Sequence, residues 1–433
     1  MSHGLDTEVL AVAAASVVVW SLCSQRLERL YISAPIAFVV MGLVVTHGPL
    51  AFIHFNPHSE TVKSLAEVTL ALVLFTDASR VNVHELTRDL GLPVRLLAIG
   101  LPLTIGVGTA VAFGIVPGVT LWVAASIGAI VAPTDAALGA AIMGDTRIPN
   151  RIRRLLNVES GLNDGIATPF VNLFLAGAVT TEVAHATTVL SAARELLTGA
   201  GVGAGVGLVG GWLLARANAR GWSDPGFRSL AALGLALVAY GGAIEAHGNG
   251  FVAAFVAGMA FGSVVRTDLE PLVDFAEEAG GLLSLMVWLI FGAAMLVPGL
   301  EHATWPEFGF AVLALTVVRM VPLAVALMGS GLDRFTVGFI GWFGPRGLAS
   351  VVFGLIAYDS LDPAEGGRVL SVVTVTVALS VLAHGLSASP LAARYGAFSA
   401  TLAGHEAEHR TTPTMRARAS LSGHVGRAEA GDG

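Results

Sequence analysis

Long apolar stretches recur along almost the whole chain, and they constrain its fold more than any other feature. Each is about 17 to 25 residues long, which is the length an α-helix needs to cross roughly 30 Å of hydrocarbon. Only 13% of the 433 residues are charged, and the mean hydropathy is +0.75. These values exclude an ordinary soluble globule. We therefore predict an all-α, polytopic membrane protein.

The apolar stretches predict about thirteen membrane spans. The first is expected to stay in the mature protein, because the apolar run Val9 to Leu22 has neither a basic segment before it nor a small-residue cleavage site. The predicted spans lie at roughly 7–24, 33–49, 60–80, 93–116, 119–143, 151–178, 190–216, 227–247, 250–265, 272–298, 305–330, 335–358 and 368–392.

The basic residues predict the orientation of these spans. If the N-terminus is outside, only Lys63, Arg194 and Arg368 of the 24 basic residues lie on the outer side, and Arg319 and Arg346 lie within spans. All the others are then cytoplasmic, as the positive-inside rule requires. The composition, rich in Ala, Gly and Arg and poor in Lys, is typical of a bacterial plasma membrane protein.

The last part of the chain differs from the membrane region. Residues 396–433 are rich in Ala, Gly, His, Arg and Glu and poor in large apolar residues. Such a segment cannot bury enough apolar surface to fold alone. We predict a membrane domain over residues 1–395 and a disordered cytoplasmic tail after it.

Pro and Gly interrupt two spans in corresponding places. The fifth span reads GAIVAPTDAALGAA and the twelfth reads GWFGPRGLASVV, with Asp135 and Arg346 beside the two breaks. Six helices, one connecting helix and six more place the second half upside down relative to the first, as in many secondary transporters. Matching interruptions in such repeats predict a substrate site near the middle of the membrane.

Charged residues within the spans are rare, and they mark where the chemistry lies. A charge at the bilayer centre costs at least about 2.5–3.5 kcal/mol on insertion scales, so those present are expected to be paired or functional. They are Asp77, Asp135, Glu159, Asp164, Arg319 and Arg346.

The stretch NVESGLNDG, residues 157–165, is the most polar part of any span. On a helix, Glu159 and Asn163 share one stripe and Ser160 and Asp164 share the next, within an arc of about 140°. A single polar arc faces the bundle interior rather than lipid. Carboxylate, hydroxyl and amide oxygens suit a hard cation.

The fifth span adds oxygens of its own. Pro133 removes a helical N–H and frees carbonyl groups beside Thr134 and Asp135, and irregular backbone at this depth must line a cavity or be buried in protein. Structural interpretations remain open here. Asp135 and Arg346 can neutralise half-helix ends, Glu159 can pair with an arginine, and Asp77 can sit at the interface.

The pattern Glu-Ser-x-x-Asn-Asp on the sixth span, with Thr134 and Asp135 on the fifth, resembles the monovalent cation:proton antiporters of the NhaP and eukaryotic sodium/proton exchanger branch. The resemblance covers about residues 7–395 and includes the span count and the broken fifth and twelfth helices. It implies an NhaA/NhaP-like antiporter fold with crossing broken helices.

The resemblance also implies residue roles. Asp164 is the carboxylate that takes either the cation or the proton, and Thr134 and Ser160 supply further cation ligands. Asp135 and Asn163 stabilise the helix crossing and hold Asp164.

Other roles implied by the resemblance are structural. Glu159 pairs with Arg319, and Arg346 lies in the Gly-x-Arg-Gly break of the twelfth span, while Asp77 is a candidate for the access path. One departure concerns the fifth span, where many members continue Thr-Asp-Pro but this chain has Pro133 before the Thr-Asp pair.

The implied function is exchange of a monovalent cation for protons, with Na⁺ preferred and Li⁺ or K⁺ possible, and with neither a cofactor nor nucleic acid. Electrogenic relatives have Asp-Asp where this chain has Asn163-Asp164, and they use an intramembrane lysine. The one lysine here is Lys63. One titrating carboxylate therefore implies electroneutral 1:1 exchange.

The resemblance further implies a homodimer in the bilayer. A core bundle, about residues 93–178 and 305–395, is expected to move against a scaffold bundle, about residues 7–80 and 227–298.

Three other functions remain possible at this point. A channel would need a continuous polar lining, and a carrier of organic anions or another solute would need a buried positive site. An intramembrane hydrolase would need a base beside Ser160, and His384 is the only histidine deep in a span.

Overall fold

The computed structural model describes residues 7–29, 32–47, 59–80, 91–179, 185–265, 269–402 and 407–409, and every regular element in these ranges is a helix. A continuous or interrupted helix lies at each of the thirteen predicted spans. In chain order these are α1 (Thr7–Arg29), α2 (Ala34–His47), α3 (Glu60–Arg80), α4 (Gly91–Arg95, Leu96–Gly100 and Leu101–Ile115), α5a (Leu121–Ile130), α5b (Ala140–Met143), α6 (Asn150–Val179), α7 (His185–Ala219), α8 (Pro225–Glu245), α9 (Gly250–Val264), α10 (Leu269–Ile290, Phe291–Met295 and Leu296–Glu301), α11a (Trp305–Leu315), α11b (Val317–Ala326), α12a (Arg334–Trp342), α12b (Leu348–Ser360) and α13 (Pro363–Ser399).

Within the described ranges, eight helices are long and apolar enough to cross a membrane. Four shorter apolar helices, α2, α5a, α9 and α12b, accompany them. The prediction of a multi-pass helical membrane protein is confirmed.

Two of the helices are broken where Pro and Gly predicted it. The chain leaves helical geometry between Ile130 and Ala140 in the fifth, and between Trp342 and Leu348 in the twelfth. A third interruption, at Thr316 in the eleventh helix, was not predicted. Its backbone has φ −113° and ψ −90°, and neither Gly nor Pro stands at that position.

Small residues let α3, α7 and α9 approach closely. A Cβ on Gly258 of α9 would lie 2.2 Å from the carbonyl oxygen of Phe75 in α3, and one on Gly203 of α7 would lie 2.3 Å from that of Ala253. Close backbone approach through small residues is how membrane helices pack without a hydrophobic driving force. Substituting these glycines would push α9 away from α3 and α7.

Contacts between helix ends divide the bundle into two sides. On one side Lys63 at the start of α3 pairs with Asp359 at the end of α12b. On the other, the Arg95 guanidinium donates to the carbonyl of Met328, so the start of α4 meets the end of α11b. These pairings join ends that the alternation of spans places on the same side.

The C-terminal part departs from the predicted tail. Helix α13 continues to Ser399, and a short 3₁₀ turn follows at Ala407–His409. Glu408 in this turn is 1% exposed and accepts the backbone N–H of Asp333. The disorder predicted from residue 396 is therefore wrong for these residues, because they find partners on the bundle. Residues 403–406 and 410–433 of the predicted tail lie outside the described residues.

Candidate functional site

The break in the fifth helix follows from its local sequence. The Thr120 hydroxyl accepts the N–H of Val123 and caps the start of α5a. The helix ends at Ile130, three residues before Pro133, which has no N–H to continue the ladder. The freed carbonyl of Ile130 accepts a hydrogen bond of 2.7 Å from the Ser350 hydroxyl in α12b, so the break is anchored on the partner broken helix.

A compact polar cluster joins this break to α6. The hydroxyl oxygens of Thr134 and Ser160 are 3.0 Å apart, and the Asn163 amide donates to the Thr134 hydroxyl at 2.6 Å. All three side chains are at most 3% exposed. The predicted polar arc of α6 thus faces the unwound segment of the fifth helix.

Asp164 lies on the same face of α6, one turn beyond Ser160, and it is 7% exposed. The following residue, Gly165, permits the scaffold to come close, because a Cβ there would lie 2.1 Å from the ring of Phe255 in α9. The carboxylate is therefore buried where α6 meets both the fifth-helix break and α9.

Asp135 lies at the crossing itself. One carboxylate oxygen accepts the N–H groups of Ala137 at 2.7 Å and Leu138 at 3.1 Å, and the other accepts that of Leu348 at 2.8 Å. A Cβ on Gly347 would lie 2.1 Å from this second oxygen, so only glycine leaves room for it. The negative charge thus meets the N-terminal ends of both α5b and α12b.

Arg346 is the positive counterpart. Its guanidinium is fully buried and donates to the carbonyls of Ala132 at 2.7 Å and Pro133 at 3.3 Å, at the C-terminal end of α5a. A third bond of 3.3 Å reaches the carbonyl of Ala314, beside the unpredicted interruption in the eleventh helix. That interruption therefore supplies an acceptor for a buried charge.

Glu159 and Arg319 form a bidentate ion pair. The guanidinium nitrogens lie 2.5 and 2.8 Å from the two carboxylate oxygens, and both side chains are almost fully buried. Gly344 in the twelfth-helix break makes room for this pair, because a Cβ there would lie 2.5 Å from Nε of Arg319.

Asp77 on α3 faces the same turn of α6 from the scaffold side. It is 9% exposed, and its Cβ would lie 3.7 Å from a Cβ on Gly161, next to Ser160. Arg80, one turn further along α3, pairs instead with Glu277 and with Asp274 at 3.5 Å. Asp77 is therefore a buried acidic group close to the cluster.

The sequence did not assign a role at the crossing to three side chains that hold it, Ser350, Ser380 and His384, and it noted His384 only as a deep histidine. The Ser380 hydroxyl accepts the backbone N–H of Arg346 at 2.7 Å, and His384 contacts Trp342. The only signal was that each is a polar residue in an otherwise apolar helix. That signal does not indicate which backbone group such a side chain meets.

The geometry allows some kinds of chemistry and disfavours another. Two hydroxyls and the neighbouring Asp164 carboxylate are buried oxygen groups of the kind that suits an alkali cation or a proton. The Ser160 hydroxyl contacts Thr134, whereas His384 contacts α12a and its own helix. A serine–histidine hydrolase arrangement at Ser160 is therefore disfavoured.

Comparison with known proteins gives a consistent picture. A sequence model of the transmembrane sodium/hydrogen exchanger family matches residues 12–394. A K(+)/H(+) antiporter, NhaP2 of Shewanella baltica, is 23% identical over 384 residues, which are 87% of this chain and 65% of that protein. The Na(+)/H(+) antiporter ApNhaP of Aphanothece halophytica is 25% identical over 399 residues, which are 87% of this chain and 72% of that protein.

A solved structure is covered over a larger share of its own length than either of these sequence relatives. The sodium proton antiporter MjNhaP1 of Methanocaldococcus jannaschii superposes with a TM-score of 0.72 at 20% identity, over 88% of this chain and 99% of that one. This likeness confirms the predicted fold. By contrast, the chain spans just under two thirds, 65%, of the length of the Shewanella relative.

Proposed function

Because the chain belongs to the sodium/hydrogen exchanger family, we propose that it exchanges a monovalent cation for protons across a membrane. The observation that carries the proposal is the buried cluster of Thr134, Ser160 and Asn163 beside Asp164, at the meeting of a broken helix and α6. Sodium is the first candidate for the cation. The relatives bear both Na⁺ and K⁺ names, so potassium is the alternative.

Asp164 is the exchanging group in this proposal. A buried carboxylate is costly unless it is neutralised, and either a proton or an alkali cation neutralises it. A cation also needs oxygens to replace its hydration shell, and the hydroxyls of Thr134 and Ser160 lie on the same side. Both ligands use the same carboxylate, so binding of one excludes the other and competition couples the two fluxes.

Four other buried charges have fixed structural partners around the site. Asp135 and Arg346 are both committed to backbone groups of the broken helices, and Glu159 and Arg319 are committed to each other. With Asp77 assigned to the access path, Asp164 is the one titrating carboxylate of the proposed cycle. Exchange is therefore electroneutral, with one cation for one proton.

Asp77 marks the access path in this proposal. It faces the site from α3, which belongs to the scaffold bundle (about 7–80 and 227–298), whereas Asp164 belongs to the core bundle (about 93–178 and 305–395). A cation that approaches between the bundles would meet Asp77 before Asp164. Movement of the core against the scaffold would then expose Asp164 to either side in turn.

The assembly and orientation are also part of the proposal. The arginine-rich side of the bundle is cytoplasmic, since basic residues are retained there, so the N-terminus is outside and the C-terminus inside. The protein resides in a plasma membrane as a homodimer formed through the scaffold bundles.

The test is proton flux in proteoliposomes loaded with a pH-sensitive dye. Sodium, lithium or potassium should dissipate a pH gradient with the wild type, and choline should not. Asp164→Asn removes the charge that both ligands neutralise, so flux should fall to the level of protein-free vesicles. Asp224→Asn changes an exposed cap of α8 and should leave the flux intact.

Two outcomes would contradict the proposal. Cation-dependent flux that survives Asp164→Asn would exclude this carboxylate as the exchange site. A rate that depends on a potential set by valinomycin and a potassium gradient, with sodium as the exchanged ion, would exclude one-for-one exchange.

A further inference from the structure

The crossing of the broken helices contains four half-helix ends, and three of them meet a formal charge. Asp135 meets the N-terminal ends of α5b and α12b, and Arg346 meets the C-terminal end of α5a. The fourth end is the C-terminus of α12a, whose last carbonyl belongs to Trp342. This carbonyl accepts the backbone N–H of Gly344 at 2.8 Å, and the side chain that meets it is the imidazole of His384 on α13.

Both ring nitrogens of His384 face carbonyl oxygens. Nε2 lies 2.8 Å from the carbonyl oxygen of Trp342, and Nδ1 lies 2.8 Å from that of Ser380. A neutral imidazole has a single N–H, whereas the imidazolium donates from both nitrogens. The doubly protonated ring is therefore the form that satisfies both short contacts.

A neutral ring has a weaker arrangement within reach. The Ser380 hydroxyl lies 3.2 Å from Nδ1 and can donate to it, while Nε2–H keeps its bond to Trp342. The lone pair of Nδ1 would then still lie against the Ser380 carbonyl at the shorter distance. Loss of the proton thus exchanges a hydrogen bond for a repulsive contact at a side chain that is 3% exposed.

The charges around His384 make this protonation reversible. Burial of the ring opposes an added proton most strongly, and the positive charges of Arg346 on the twelfth-helix break and Arg319 on α11b oppose it further. Glu159 partly offsets Arg319 by pairing with it. The carbonyls favour the cation and the arginines oppose it, so the proton is held less firmly than the permanent charge of Arg346.

We propose that His384 is a second proton-binding site, separate from Asp164, whose occupancy fastens the C-terminal end of α12a to α13. The protonated ring does for the twelfth helix what Arg346 does for the fifth, but its charge is lost as the pH rises. The Ser380 hydroxyl accepts the backbone N–H of Arg346 in either state, so deprotonation would loosen the α12a end of the crossing and leave the Arg346 side in place.

Tryptophan fluorescence tests the proton site without any transport. The Trp342 ring centroid is 5.2 Å from that of His384, and an imidazolium quenches a neighbouring indole more strongly than a neutral imidazole does. The detergent-solubilised wild type should show a single-proton increase in fluorescence as the pH rises. His384→Gln should abolish it, and His302→Gln, at an exposed histidine, should not.

A second comparison covers the case in which His384→Gln does not fold. The chain has 7 tryptophans, and subtracting the titration of Trp342→Phe from that of the wild type isolates the Trp342 signal with His384 intact. A one-proton transition in this difference supports the site. A flat difference, or a transition that persists in His384→Gln, overturns it.

The effect on exchange rests on the proposed function and is measured separately. His384→Gln should change the ratio of proteoliposome exchange rates at acidic and alkaline pH by about fivefold, the equivalent of one hydrogen bond. An unchanged pH profile would separate His384 from exchange while leaving the fluorescence result standing. Absence of cation-dependent flux in the wild type would contradict the proposed function only.

Discussion

At the scale of single residues, four buried charges near the crossing are committed to fixed partners, whereas Asp164 is proposed to exchange ligands. The pair of Glu159 and Arg319 belongs to the first group, with both carboxylate oxygens held by the guanidinium. The net contribution of such a pair to the free energy of folding is smaller than the loss caused by removing one partner. Removing one partner is costly because it leaves an uncompensated buried charge.

A double-mutant cycle on this pair follows from that argument. We expect Glu159→Met alone or Arg319→Met alone to lower the free energy of unfolding by about 3–5 kcal/mol. The double substitution should cost much less than the sum, since no charge is left unpaired. Denaturation in mixed detergent micelles measures all three. Additive losses would mean that the two side chains do not depend on each other.

At the scale of elements, the crossing depends on which small residues stand in the twelfth-helix break. Gly344 admits Arg319 and Gly347 admits Asp135, and in each case a Cβ would lie at most 2.5 Å from the incoming side chain. Glycine is therefore needed at both positions, because a charged side chain approaches the backbone closely there. The glycines of the break make room for the charged side chains, and these side chains in turn stabilise the backbone groups that the break leaves free.

Gly347→Ala should consequently displace the Asp135 carboxylate from the N–H of Leu348. We expect a loss of about 1–3 kcal/mol in the free energy of unfolding, as for other overpacked sites, together with loss of exchange. Gly338→Ala in α12a is the matched control, because nothing lies within 4 Å of its Cβ position. Equal behaviour of the two variants in thermal unfolding would contradict the steric argument.

At the scale of the whole molecule, the ion pair of Lys63 and Asp359 joins the two proposed bundles at one end. Lys63 lies in the first turn of α3 and reaches Asp359 in α12b at 2.7 Å. If the core moves against the scaffold during exchange, these two ends must separate in part of the cycle. The contact thus reports on relative movement of the bundles.

Cross-linking tests that movement. In a Cys23→Ser background, Lys63→Cys with Asp359→Cys, joined by a short bis-maleimide, should reduce exchange to the level of protein-free vesicles. The control places cysteines at Pro117 and Arg368, which are in contact within the core, and its cross-linking should be harmless. Full exchange by the Lys63–Asp359 cross-linked protein would mean that these ends stay together.

The sequence by itself determined the spans, the two proline- and glycine-marked breaks and the polar face of α6. Apolar length sets a membrane span, and a charge in hydrocarbon must turn towards protein, so these features depend only on local pattern. The pattern of Glu159, Ser160, Asn163 and Asp164 resembles the exchanger family, and the match over residues 12–394 shows that the chain belongs to it.

Only the tertiary structure decided what each polar group meets. It assigned Asp135 to two helix ends, His384 to the Trp342 carbonyl and Lys63 to Asp359. It also introduced the interruption at Thr316, which no local residue signals. Such pairings join positions far apart in the chain. They arise because buried backbone groups freed by a break must find partners wherever packing places them.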